Sequence, residues 1–154
     1  MPDHPYTATP PSPGFAWVDE FELGHHAMDD THREFVTCVD ALLRVPDARL
    51  ADALCAFETH AREHFGEEDR QMAATAYGNA GCHVDEHAAV LKSLGEVHAA
   101  LAAGRPDVVR RFAEALADWF PEHAAVMDQG LARWLVQREL GGSPVRLHRR
   151  AVAA

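Results

Sequence analysis

The chain has 154 residues, 47% of them apolar, and a formal net charge of −10. That length suits one domain with a substantial core, and the negative charge argues against nucleic acid or an anionic membrane as a partner. No run approaches the roughly 18 apolar residues of a transmembrane helix and the N-terminus has no signal-peptide pattern, so a cytoplasmic protein is expected.

Residues 1–14 carry five prolines and little apolar periodicity, which reads as a disordered lead-in. Order is expected from Phe15 and Trp17, which can pack over one end of the domain. After the loop Gly24-His25-His26-Ala27-Met28, Asp29 or Asp30 can cap a first helix that Pro46 ends. Its seam is His32, Phe35, Val39 and Leu42. A second helix from about Asp47 to Ala76 has the seam Leu50, Leu54, Phe57, Ala61, His64, Glu68, so its apolar stripe runs directly into a histidine and a carboxylate. Residues 77–81 are a turn by composition.

A third helix carries His83, His87, Val90, Leu94, Val97 and Leu101 and ends at Gly104. Pro106 suits the first position of a fourth helix, with Val109, Phe112, Leu116, Trp119, His123 and Met127 on its face. Asp128, Leu131 and Leu135 continue that face one position over. Pro121 lies inside this helix and should kink it near Ala117. Residues 141–154, with Arg146, Arg149 and Arg150, read as a solvated basic tail. The fold expected for 15–140 is all-α, an antiparallel up-down-up-down four-helix bundle. Cys38, Cys55 and Cys82 form no CxxC pair and read as small buried apolar residues; His25 and His26 read as loop surface. His60 and His98 lie near the seams but off them, in supporting or solvent-facing roles.

Two pairs stand at i, i+4, His64 with Glu68 and His83 with His87, and that spacing places both members on one helix face. Antiparallel neighbours bring the other candidates to the same level: His32 to Pro46 is 14 residues and Pro46 to His64 is 18, while His87 to Gly104 and Pro106 to His123 are each 17. Five histidines and two carboxylates then share one zone of the core. A single core histidine is usually a hydrogen-bonded structural residue. Seven such groups together are not so easily satisfied, because each buried charge costs several kcal/mol unless paired or metal-bound. Seven donors exceed one octahedral ion, so two metals bridged by carboxylates are expected. Imidazole and carboxylate suit iron or another first-row metal.

The pattern Met28-Asp29-Asp30-Thr31-His32, then His64-Phe65 with Glu67-Glu68 and Met72, then His83 and His87, then Trp119 with His123 and Asp128, resembles the hemerythrins, particularly the short bacterial ones. The resemblance covers roughly residues 15–138. It implies two non-haem irons that bind molecular oxygen reversibly, for storage, delivery or sensing. It further implies that His83, His87 and His123 hold one iron and that His32 and His64 hold the other, which keeps an open position. Glu68 and Asp128 would bridge the pair together with an oxide or hydroxide. The aromatics Phe35, Phe65, Trp119 and Phe120 would wall the oxygen pocket. Ala124 and Phe120 depart from the residues usual in that family, and the pocket's shape is where such changes act. The role expected is binding rather than catalysis; a di-iron enzyme handling peroxide, nitric oxide or ferrous iron, or a metal-stabilised signalling module, is the alternative.

Overall fold

Apolar side chains recurring at three- and four-residue steps wind the chain into helices that bury one stripe each. The structure is a computed structural model that describes residues 14–141. The lead-in up to Pro13 and the basic tail from Gly142 lie outside the described residues. The helices are α1 (His26–Arg44), α2 (Asp47–Ala74), α3 (Ala80–Ala102) and α4 (Pro106–His123). A π-helical turn, Ala124–Asp128, and α5 (Gln129–Leu140) extend α4 without leaving helical backbone. The described residues contain no strand. α1 and α3 each pack on both α2 and α4, which makes a helical bundle. No helix among the described residues is long and apolar enough to cross a membrane.

The loop into α1 differs from expectation. The cap is His25, whose Nδ1 accepts from the Met28 backbone N–H at 3.3 Å, so His25 is buried rather than on the surface. Asp29 lies inside the first turn. Its carboxylate accepts the backbone N–H groups of Leu23 (2.7 Å) and Gly24 (3.1 Å) and so ties down the incoming chain. Negative charge there also suits the positive end of the helix dipole. His26 is exposed, as expected, beside Asp30.

Ahead of this loop, Phe15 and Phe21 lie edge-on to Phe120, at ring-centroid distances of 6.1 and 5.2 Å, and Trp17 packs on Phe21. Gly104, with φ +77°, makes the left-handed turn that closes α3 before Pro106 opens α4. Arg110 on α4 donates to the carbonyls of Leu42 and Val45 and so satisfies the frayed end of α1.

Two apolar clusters fill the interior. The larger contains Phe35, Leu50, Leu54, Phe57, Leu94 and Phe120; the smaller contains Leu23, Met28, Met72, Leu131 and Leu135. Burying each such side chain contributes about 1.5–3 kcal/mol. On every long helix the metal-capable residues fall between members of the two clusters, as His32 does between Met28 and Phe35. A polar layer is thus enclosed between two dry ones.

Two further expectations are corrected. Cys55 and Cys82 are exposed and Cys38 is half-buried. Cys55 follows the seam residue Leu54, and Cys82 precedes His83, so each is rotated off the buried stripe. Helical backbone continues through Pro121, and a π-helical segment follows downstream at Ala124–Asp128. The Gln129 N–H bonds back to the Ala124 carbonyl, five residues away, in the π pattern. Met127, expected on the seam, is consequently half-exposed, and Ala124 and Asp128 are buried instead.

Candidate metal centre

The seven donors foreseen from the sequence come together. His32 projects from α1, His64 and Glu68 from α2, His83 and His87 from α3, His123 from the end of α4, and Asp128 from the end of the π turn. None is more than 5% exposed. Their ligand atoms form two overlapping sets, Glu68, His83, His87, His123 and Asp128 in one and His32, His64 and Glu68 in the other.

All five histidines turn Nε2 inward, and the carboxylates stand between them. Glu68 Oε1 is 3.0 Å from His64 and 3.3 Å from His32, while Oε2 is 3.3 Å from both His83 and His87. Asp128 Oδ2 is 3.2 Å from His32; Oδ1 is 2.8 Å from His83 and 3.2 Å from His123. Each carboxylate therefore offers one oxygen to each half of the site. That is the arrangement of a pair of bridging ligands.

Hydrogen bonding leaves the interior of this cluster unsatisfied. Glu68 Oε2, both Asp128 oxygens and the Nε2 atoms of His83, His87 and His123 are buried without a hydrogen-bond partner. Native interiors rarely tolerate one such atom, and six that face one another fit cations as the missing partners. The electrostatics agree. Burial opposes ionisation of both carboxylates, but the surrounding imidazoles outweigh it. Glu68 is held well below the usual carboxylate range, and Asp128 is held at about 2. Burial likewise opposes charge on His83, yet the carboxylates of Asp128 and Glu68 beside its ring lift it to about 9. Two anionic carboxylates are maintained and attract positive charge, whether proton or metal. Burial, helped by the neighbouring His32, lowers His64 despite Glu68 beside it, which favours the neutral ring.

Two residues that sequence reasoning missed support this layer. His87 Nδ1 donates to Asp69 at 2.8 Å, and His123 Nδ1 donates to Glu86 in a very short contact. A proton held on Nδ1 leaves the Nε2 lone pair free for a metal and fixes the ring's orientation. Asp69 follows Glu68 and Glu86 precedes His87, so each is rotated off the seam toward a neighbouring helix. That adjacency is the one signal the sequence carried. The Nδ1 atoms of His32, His64 and His83 have no such partner.

All four foreseen aromatics touch the histidines. Trp119 stacks on His123 with centroids 4.2 Å apart, and Phe65 lies flat on His87 at 4.2 Å while also touching His64. Phe120 meets His32 edge-on at 5.4 Å, Phe35 meets His64 edge-on at 5.9 Å, and these two phenyl rings stack on each other. Phe65, expected beside the His64 side, thus serves the three-histidine set more closely. His60 stands against His64 with its Nδ1 3.6 Å from Glu34, whereas His98 pairs with Glu58 away from the cluster.

A buried pair of carboxylates shared among five inward histidines on a helical bundle defines a metal-binding four-helix protein, and the chain belongs to the hemerythrin family: residues 23–135 match the Hemerythrin HHE cation binding domain. Over 126 residues it is 36% identical to a bacteriohemerythrin of Ralstonia nicotianae, an alignment that spans 82% of this chain and 92% of that protein.

Proposed function

We propose that this protein binds molecular oxygen reversibly at a non-haem di-iron centre, in storage, delivery or sensing, and that it is a binder rather than an enzyme. The observation that carries the reading is the unequal division of donors. Counting each carboxylate oxygen on the side it faces, one half has His83, His87, His123, Glu68 and Asp128, and the other has His32, His64, Glu68 and Asp128. With one further shared oxygen, the first set completes an octahedron and the second leaves one position for a ligand. The same reading takes the helices to run alternately up and down, which brings the donors to one level.

When bound, a pair of ferrous ions would supply the electrons on which oxygen binding draws. The chain's own residues do the rest. Asp69 and Glu86 hold two rings of the three-histidine set in their metal-binding tautomer. Phe35 and Phe120 wall the core flank of the two-histidine side with carbon, so water and its protons are kept from a bound ligand on that flank. Such exclusion favours holding oxygen over reducing it. The relative's name, bacteriohemerythrin, accords with this role.

An anaerobic optical titration of the iron-loaded protein with oxygen tests the reading. A new charge-transfer band that disappears under vacuum, at two irons per chain, is expected. One tightly held zinc per chain, or irreversible oxidation at the first addition, overturns it.

A further inference from the structure

Between α1 and α2 a cavity of about 180 Å³ reaches the two-histidine side of the centre. His64 and Glu68 line its inner end at 5% and 3% exposure, and His64 Nδ1 is buried without a hydrogen-bond partner. His60 lines it further out, its ring 5.4 Å from that of His64, and its buried Nε2 also lacks a partner. The exposed carboxylates of Glu34, Glu63 and Glu67 surround the mouth. Glu67 pairs with Arg70, but Glu63 has no cationic partner among the described residues, and neither lysine nor arginine lines the cavity. A second cleft reaches His83 from the opposite side, past Tyr77, Cys82 and Met127, and no acidic residue lines it.

We propose that the acidic mouth formed by Glu34, Glu63 and Glu67 is the route by which divalent cations reach the centre, arriving first at the His32, His64 and Glu68 position. This rests on the reading of the centre as a metal site. Like-signed carboxylates set in low-dielectric walls focus the field along a cleft and raise the local concentration of a dication. A hydrated ion needs replacements for the waters it sheds. Glu34 and Glu63 offer oxygens at the rim, His60 offers a free imidazole nitrogen midway, and His64 with Glu68 receive the ion at the end. The second cleft offers His83 alone.

The test is stopped-flow uptake of Co(II) by the metal-free full-length chain, followed by the ligand-field absorption of the loaded site at low and high ionic strength. The triple variant Glu34→Gln, Glu63→Gln, Glu67→Gln is compared with Asp52→Asn, Glu96→Gln, Glu114→Gln, which removes the same charge from exposed positions elsewhere. The mouth variant is expected to load about 10-fold more slowly at low salt, with the difference vanishing at high salt, and the control within about twofold of the parent. Displacement of bound Co(II) by added Zn(II) in the loaded chain is expected to slow in the same variant; this second measurement holds even where the metal-free chain is partly unfolded. Equal rates for the parent and the mouth variant in both measurements, or equal slowing in the control, overturn the route. Failure of the parent to take up two Co(II) per chain would instead overturn the metal centre itself.

Discussion

His123 Nε2 lies 3.2 Å from Asp128 Oδ1 although the two residues are five apart along one helix. In an α-helix residues five apart point about 140° away from each other. The π turn at Ala124–Asp128 removes that divergence and brings both side chains to the centre. Deleting the exposed Val126 would leave His123 and Asp128 at i, i+4 in plain α-helix, about 40° apart, so the variant should keep its metal. Inserting one alanine after Ala125 should swing Asp128 away and lose most of it. Metal content per chain, with circular dichroism to confirm helicity, checks both. Equal loss in the two variants would show that the π turn itself is required.

Asp69 and Glu86 should behave as positioning residues. Asp69→Ala and Glu86→Ala free the rings of His87 and His123, and each is expected to weaken metal binding by about 10- to 100-fold. Asp69→Asn and Glu86→Gln retain an oxygen acceptor and should recover much of that. Competition with a chelator measures the affinity. Identical behaviour of the alanine and amide variants would reduce these contacts to packing.

The aromatic wall separates retention of oxygen from simple stability. Phe35→Ala should cost about 3–5 kcal/mol, because the ring is fully buried. It should also open a path for water to His64 from the core side and shorten the life of the oxygenated form. Trp119→Ala uncovers His123 and should loosen the three-histidine set, with a smaller stability loss because the indole is only half-buried. Decay of the oxygen adduct, measured at matched iron content beside melting curves, distinguishes the effects. An unchanged decay rate in the folded Phe35 variant would assign that ring to core packing alone.

Metal and proton compete for the same histidine. In the metal-free chain burial works against charge on His83, but the adjacent carboxylates of Asp128 and Glu68 lift its pKa from an ordinary 6.5 to about 9. The folded state therefore keeps a proton that the unfolded chain releases. The resulting stabilisation is complete below pH 6.5 and is lost as pH rises through 9. The melting temperature of the metal-free chain should fall across that window. In the loaded chain the ring is neutral and bound, so the fall should be absent. Acid reverses the order, since protonated imidazoles release the metal. Calorimetry of both forms between pH 6 and 9.5 decides; a metal-free melting temperature that holds level through the window contradicts this account of His83.

The sequence by itself determined the helical class, the positions of the turns and the seven converging donors. The physical reason is that a 3.6-residue repeat fixes which side chains share a face, and turn residues such as Gly104-Arg105-Pro106 fix where each face begins again. His64 with Glu68 and His83 with His87 needed nothing more. Tertiary structure alone decided what depends on how one helix is rotated and shifted against another. Asp69 meets His87 and Glu86 meets His123 across helix boundaries, where no local pattern applies. His25 turns from an apparent loop residue into a buried cap because the chain before it folds back onto Asp29. The seam's one-position slip between His123 and Asp128 was visible in the residues, but only hydrogen bonding along the backbone converts that slip into a π turn and not a break. The division of each carboxylate's two oxygens between two sets of histidines likewise exists only once all the helices have met.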